Sequence, residues 1–264
     1  MAELLRLLPG VLRARDFHLY LEGGKRITDL WLAGGKAVLG HKPPRVLSEL
    51  KNAAERGLFG PLPHPAEKRF IRALGEFFPG RAFRLYADEN SLGRALDKAG
   101  FGGEEWRTCG SEKISLWRPF MEHNGGGDIP VLVPVLPFGP AALALDKSAE
   151  PSFPPGDLLP PVLLAPAIRA LYDLAAALKN FVPDKPMYPK IEKVLAKGGR
   201  QRQWLRRGIY LTAEPAVEGE QYEALFRYFL EGDFLIPPSP REPLILPLSM
   251  SSGEEAKLAR LLES

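Results

Sequence analysis

Proline and glycine limit what this chain can fold into more than any other feature of its sequence. The 264 residues include 27 prolines and 26 glycines, and the prolines crowd between Ile129 and Pro166. Proline has no amide hydrogen and a fixed φ, so it interrupts helices and is excluded from interior strands. The middle of the chain is therefore predicted to be irregular rather than helical. Its longest uncharged stretch, Ile129 to Leu145, is too short and too interrupted for a membrane helix.

The remaining composition is that of an ordinary globular protein. Hydrophobic residues make up 45% of the chain, and 35 basic residues face 32 acidic ones, a balance that predicts no particular charged partner. The single cysteine, Cys109, cannot form an internal disulfide, and the first residues lack the pattern of a signal peptide. We therefore expect a cytoplasmic protein. The four histidines have no metal-ligand spacing, so no metal site is predicted.

Hydrophobic periodicity predicts an α/β protein. A strand at 83–87 runs through Asp88-Glu89-Asn90-Ser91 into a helix whose apolar stripe is Leu92, Ala95 and Leu96. The C-terminal third alternates in the same way, and its last helix is predicted to begin with a capping box at Ser252-Gly253-Glu254-Glu255. Other predicted elements are a hairpin at 17–30, helices at 44–56, 65–78, 167–178, 188–196 and 220–231, and strands at 114–117, 209–211, 234–236 and 244–248.

Three segments, in order, carry a resemblance to a known family. They are Leu21 to Leu30 followed by Gly40-His41-Lys42-Pro43-Pro44, then Phe83 to Ser91, and finally Phe229 to Ser239 with the last helix. Together they cover about half the chain. They resemble the class III, fold-type I aminotransferases that use pyridoxal phosphate, a family that includes glutamate-1-semialdehyde aminomutase. The resemblance implies an abbreviated fold-type I architecture, with a reduced large-domain sheet and an α+β small domain.

The resemblance also implies where a cofactor phosphate would bind. In the family, an Asn-Ser-Gly-x-Glu-Ala motif holds the phosphate at a helix N-terminus. Here Asn90 and Ser91 match the motif, but Leu92-Gly93-Arg94 follows them, so a bulky leucine occupies the position where the family has glycine. Asn90, Ser91, Gly93 and Arg94 remain the candidates for cofactor or anion binding. The alternative interpretation is that Ser91 is an ordinary helix N-cap.

The family's catalytic lysine, which forms a Schiff base with the cofactor, has no recognisable counterpart. No lysine in the sequence lies in the Ser-Lys turn of the family, and Lys179 and Lys147 are the least unsuitable candidates. Asp146, after Ala141 to Leu145, is the candidate partner for the pyridine nitrogen. The flanks of these lysines are typical of loops and helix surfaces.

Chain length sets the domain organisation that we expect. Each βα unit needs about 30 residues, so the segment between Ser91 and Gly208 is too short for the family's full parallel sheet. We predict an N-terminal segment at 1–80 that belongs to the small domain and dimer arm, a reduced large domain at 81–180, and a C-terminal small domain at 181–264.

Three functions follow as hypotheses. The preferred one is an aminotransferase-like protein that has lost pyridoxal-phosphate catalysis and binds a small molecule or a protein, with no cofactor expected. The first alternative is an active aminotransferase or aminomutase that uses pyridoxal phosphate through an unconventional lysine. The second is binding of nucleic acid or another anion through the arginines around Trp204 at 200–207, although a solvated basic loop is favoured there. The resemblance implies a homodimer.

Overall fold

A computed structural model describes residues 2–102, 113–121, 130–182, 185–198 and 203–263. In chain order they form the following elements: α1 (Ala2–Leu5), β1 (Val11–Arg15), β2 (His18–Leu21), β3 (Arg26–Asp29), α2 (Pro44–Glu55), α3 (Pro65–Phe77), β4 (Ala82–Tyr86), α4 (Glu89–Lys98), β5 (Ile114–Trp117), β6 (Val131–Pro134), β7 (Ala141–Leu145), α5 (Pro161–Lys179), α6 (Pro189–Lys197), β8 (Gln203–Arg207), β9 (Tyr210–Glu214), α7 (Gly219–Glu231), β10 (Phe234–Leu235), β11 (Leu244–Ile245) and α8 (Ser252–Glu263).

The chain divides into two compact units. Unit 1 contains Met1–Lys42, Phe120–Glu122 and Phe181–Ser264, and unit 2 contains Pro43–Pro119 and His123–Asn180. One boundary between the units falls between Asn180 and Phe181. Residues 43–80, which the sequence analysis groups with the N-terminal segment, belong to the same compact unit as the middle of the chain.

Unit 1 contains two small sheets. In the first, β1, β2 and β3 are antiparallel neighbours and β10 joins β3 in parallel, with Phe234 opposite Thr28. In the second, β9 lies between β8 and β11 with antiparallel pairing on both sides. Apolar residues of the strands and of α7 and α8, among them Tyr210, Phe226 and Phe229, are fully buried. This unit has the α+β character expected of a small domain.

Unit 2 is built on a four-stranded sheet with helices on both faces. The strand order is β4-β7-β6-β5. Residues on β7 alternate between the faces: Ala142 and Ala144 belong to one apolar cluster with residues of α3 and α5, and Leu143 and Leu145 belong to the other with residues of α4. Small alanine side chains on the first face leave room for two helices. The α/β class is confirmed, with a reduced sheet.

The long helix α5 begins earlier than the proline content of its first turns predicts. Pro161 occupies a first-turn position that requires no amide hydrogen, and Pro166 is accommodated inside the helix. Residues 161–166 are therefore helical, and the expectation that the chain is irregular up to Pro166 is wrong for them. By length and composition, α5 is the one described helix that could cross a membrane. Its buried residues, including Leu164, Ile168 and Leu171, pack in the same cluster as α3 and β7, as in the core helix of a globular unit.

Candidate functional site

The sheet of unit 2 has a defined carboxyl edge. β7 is antiparallel to both β4 and β6, and β5 is parallel to β6. The strands β4, β5 and β6 therefore share one direction, and their carboxyl ends lie at the same edge of the sheet. Open α/β sheets bind ligands outside this edge. The residues that follow β4 are those that the sequence nominated for a cofactor phosphate.

The turn between β4 and α4 is capped by its own carboxylate. Asp88 is the N-cap of α4, and its Oδ1 accepts a hydrogen bond from the amide of Ser91 at 2.8 Å. The interpretation of Ser91 as the N-cap is therefore wrong, because the helix begins two residues before it. The Ser91 hydroxyl instead accepts a hydrogen bond from the Arg94 guanidinium at 2.8 Å. Asn90 is exposed, and Gly93 is half-buried inside the helix.

A second carboxylate lies at the end of β4. The amide of Asp157 donates to the Leu85 carbonyl at 2.7 Å, and the Asp157 carboxylate accepts from the amide of Ala87 at 2.9 Å. Gly156 allows this close approach, because a Cβ there would lie 2.6 Å from the Leu85 carbonyl oxygen. With Glu89 in the first turn of α4, three acidic residues surround the start of this helix. Asp157 is not predictable from the sequence, since no motif connects it to a strand about 70 residues earlier.

Tyr86 is the last residue of β4, and it is almost completely buried. Its hydroxyl has no hydrogen-bond partner among the described residues. Burial raises the pKa of Tyr86 to about 12, Arg84 counteracts this effect and Asp157 adds to it. The phenol therefore remains protonated at neutral pH and can act as a hydrogen-bond donor rather than as a base.

Asp146 lies at the opposite edge of the sheet from Ser91. The pairing sets Tyr86 opposite Ala141 and Ala82 opposite Leu145, so the residue after β7 is beside the start of β4. Five strand residues separate the two edges, a distance of roughly 13 Å at about 3.3 Å per residue. Hydrogen bonds from the amide and hydroxyl of Ser148 lower the pKa of Asp146, which is fully exposed. The structure does not bring Asp146 together with Asn90, Ser91, Gly93 or Arg94.

All fourteen lysines of the chain lie within the described residues. Six belong to unit 2, and every one of them is exposed: Lys51, Lys68, Lys98, Lys113, Lys147 and Lys179. Lys113 precedes β5 and Lys147 follows β7, which puts both at the amino edge of the parallel strands. Lys179 is the last residue of α5. Neither of the two candidate catalytic lysines follows the carboxyl end of β4, β5 or β6.

The arginine-rich segment in unit 1 differs from both interpretations of it. Residues 203–207 form strand β8 rather than a loop, and residues 199–202 lie outside the described part of the chain. Trp204 is 4% exposed and meets the ring of Phe229 edge to face, so it cannot stack on a base as the nucleic-acid alternative would require. The Arg206 Nε is 3.0 Å from a carboxylate oxygen of Glu192. Only Arg207 among the described arginines of this segment is exposed.

A concave site that no motif predicts lies elsewhere in unit 2. Residues of α2, α3 and α5, with the loop between the first two helices, line a cavity of about 390 Å³. Its charged lining includes Arg56, Arg69 and Arg169. These arginines are far apart in the sequence, and only the packing of three helices brings them together. Within the described ranges, no group of three or more His, Cys, Asp or Glu side chains has the geometry of a metal site.

Known structures define the class of protein to which this fold belongs. Plasmodium falciparum ornithine δ-aminotransferase superposes with a TM-score of 0.67, and the alignment covers 97% of this chain and 92% of that chain at 12% identity. A segment of 57 residues is 46% identical to glutamate-1-semialdehyde 2,1-aminomutase from Aeropyrum pernix, and it covers 22% of this chain and 13% of that protein. The chain has the fold of the class III aminotransferases that use pyridoxal phosphate, in a shortened form.

A more extensive relationship in sequence places the chain in a narrower group. It is 31% identical over 291 residues to an uncharacterised protein of Treponema pallidum, and the match spans 93% of this chain and 91% of that protein. The chain belongs to the same family as that protein. No protein-family model matches it.

Proposed function

We propose that this protein is an aminotransferase-fold protein that has lost pyridoxal-phosphate catalysis and now acts by binding a ligand or a partner. The observation that carries the proposal is the position of the lysines of unit 2, the unit that contains the sheet. Each of the six is exposed, and none lies in the loop directly after β4, β5 or β6. A Schiff base with the cofactor needs a lysine amine at the cofactor site.

The residues at the start of α4 support the same conclusion, because they do not fit a phosphate. A helix N-terminus binds an anion through free amide hydrogens and its partial positive charge. Here the Asp88 carboxylate already accepts the Ser91 amide hydrogen, and Glu89 and Asp157 add negative charge next to it. A dianionic phosphate at this position would meet three carboxylates.

The test is an imine assay on the full chain. The protein is mixed with pyridoxal phosphate, reduced with borohydride, and examined by absorbance and intact mass, with an ornithine aminotransferase as positive control. We expect no stoichiometric adduct, because exposed lysines react slowly and without preference for a single site. Lys147→Arg and Lys179→Arg are the matched variants. One adduct per chain that either substitution abolishes would overturn the proposal in favour of an active transferase.

The same proposal includes a homodimer in the cytoplasm. Its support is the shared fold, since aminotransferase relatives place their sites at a subunit interface. Light scattering after size-exclusion chromatography should give twice the chain mass of 29.2 kDa. A mass of one chain at micromolar concentration would contradict the dimer without affecting the argument about the lysines.

A further inference from the structure

The cavity between α2, α3 and α5 has the features of a built anion site. All its lining residues belong to unit 2, and the ones that matter chemically are Asn52, Arg56, His64, Arg69, Arg169 and Tyr172. Its volume of about 390 Å³ falls within the range of pockets that hold small molecules. Glu49 is the one acidic residue among those that line it.

Two of the arginines form no ion pair within the described part of the chain. Arg56 and Arg69 are both exposed, and no ion pair joins either of them to a described carboxylate. Arg169 differs, because its NH2 group donates to Asp173 at 2.6 Å. Asp173 compensates one of the three cations, and Glu49 can compensate only one more. The lining therefore keeps a net positive charge.

Arg169 also has a hydrogen-bond donor that lacks an acceptor. Its Nε is buried and has no partner among the described residues. An unsatisfied buried donor of this kind is destabilising. Because this nitrogen has almost no accessible surface, an oxyanion in the cavity can accept that hydrogen bond only after the Arg169 side chain shifts. The planar guanidinium groups of Arg56 and Arg69 present donors of the kind that bind phosphate oxygens without such a shift.

The remaining lining residues suit the body of a small ligand. His64 Nδ1 accepts a hydrogen bond from the amide of Ala66 at 3.1 Å, so the neutral ring carries its proton on Nε2 as another donor. Tyr172 is 39% exposed, and the guanidinium carbon of Arg169 lies 5.8 Å from the centre of its ring. The ring offers a flat surface on which an aromatic or apolar group can pack.

We propose that this cavity binds a small phosphate-bearing organic molecule. The phosphate contacts Arg56, Arg69 and Arg169, and the organic group packs against Tyr172. The inference rests on the proposed function in that it gives a chemical class to the ligand of a binding protein. The site itself is separate from the residues that follow β4, so it does not depend on the fate of the cofactor.

Phenyl phosphate is the probe, because it combines a phosphate with an aromatic ring and contains no aldehyde. Isothermal titration at low ionic strength should show one saturable site, with inorganic phosphate and benzoate both binding more weakly. Arg56→Gln and Arg69→Gln should each weaken binding about tenfold, the effect of losing one charge-assisted hydrogen bond. Arg72→Gln is the matched control. Arg72 is exposed on the same helix as Arg69 and does not line the cavity. Its substitution changes the net charge by the same amount.

Three results would overturn the inference: no saturable binding of phenyl phosphate, an equal loss of affinity in Arg72→Gln, or no loss in Arg56→Gln and Arg69→Gln. The exposed positions of Arg56 and Arg69 keep both variants folded, and thermal melts check this. Failure here is distinguishable from failure of the proposed function. A stoichiometric imine with pyridoxal phosphate would overturn the loss of catalysis alone, and missing phenyl phosphate binding would overturn the cavity alone.

Discussion

At the scale of single residues, Glu254 is the carboxyl group whose ionisation unit 1 favours most strongly among the described residues. Its Oε1 lies 2.7 Å from His18 Nε2 and 3.1 Å from an Arg26 nitrogen, and its Oε2 accepts from the amide and hydroxyl of Ser251. Burial opposes ionisation, but the hydrogen bonds from Ser251 and His18 outweigh it and lower the pKa of Glu254 to about 2. The folded state therefore favours the carboxylate over its protonated form.

This makes Glu254 a source of stability that acid removes. Since its pKa is lower in the folded than in the unfolded state, its contribution is complete above pH 4.5 and is lost as the pH falls towards 2. We expect Glu254→Gln to reduce the free energy of unfolding by about 2 kcal/mol at pH 7. The difference from wild type should shrink steadily below pH 4.5. Urea denaturation across this pH range measures it.

The control for this experiment lies at the other end of α8. Glu263 is exposed, and Glu263→Gln should leave the free energy of unfolding unchanged at every pH. If Glu254→Gln kept the stability of wild type at pH 7, the hydrogen bonds around its carboxylate would not contribute as we argue.

At the scale of elements, α4 shows what a short local pattern predicts and what it leaves open. The stripe of Leu92, Ala95 and Leu96 predicts the helix, and all three residues are buried. The stripe does not fix the N-cap: the sequence nominates Ser91, but Asp88 is an equally good capping residue. The structure selects Asp88. The same ambiguity displaced the capping box of α8, which Ser251 and Glu254 form one residue earlier than predicted.

The cap of α4 can be tested by two matched substitutions. Asp88→Ala removes the acceptor of the Ser91 amide hydrogen and should reduce the free energy of unfolding by about 1 kcal/mol. Ser91→Ala removes only an exposed contact with Arg94 and should change it by less than about 0.5 kcal/mol. Denaturant unfolding of both variants gives the comparison. A larger loss in Ser91→Ala would restore Ser91 as the capping residue.

Elements whose placement depends on partners distant in the sequence were not predictable. Strand β8 was missed because only Trp204 and Leu205 are apolar between charged neighbours, and its place in the sheet depends on pairing with β9. Asp146 was the candidate partner for the pyridine nitrogen, but the sheet edge at which it lies depends on the direction of β7, which the sequence does not specify. The cavity arginines come from the residue after α2, from α3 and from α5, so no short window of sequence includes them all.

At the scale of the whole molecule, unit 1 is assembled from both ends of the chain. The amide of Thr28 donates to the Asp233 carbonyl at 2.9 Å, and the amide of Leu30 donates to the Leu235 carbonyl at 2.8 Å. The amide of Ile245 in β11 donates to the Leu30 carbonyl at 2.7 Å. The N-terminal strands thus contact both β10 and β11. The first and third family-like segments of the sequence contain the two strands β3 and β10 that pair here.

This arrangement predicts that the C-terminal residues of unit 1 form a stable structure only when residues 1–42 are present. A fragment of residues 43–264 lacks β3, so β10 loses its strand partner and buried Phe234 becomes exposed. The strand β11 keeps its pairing with β9, but the Ile245 amide loses its acceptor, the Leu30 carbonyl. We expect amide hydrogen exchange to show lost protection in β9, α7 and α8, while β4 and β7 of unit 2 stay protected. Removing only residues 1–9, which precede β1, should preserve protection in both units. Full protection of residues 210–263 in the fragment would mean that they form a stable core without the N-terminal strands.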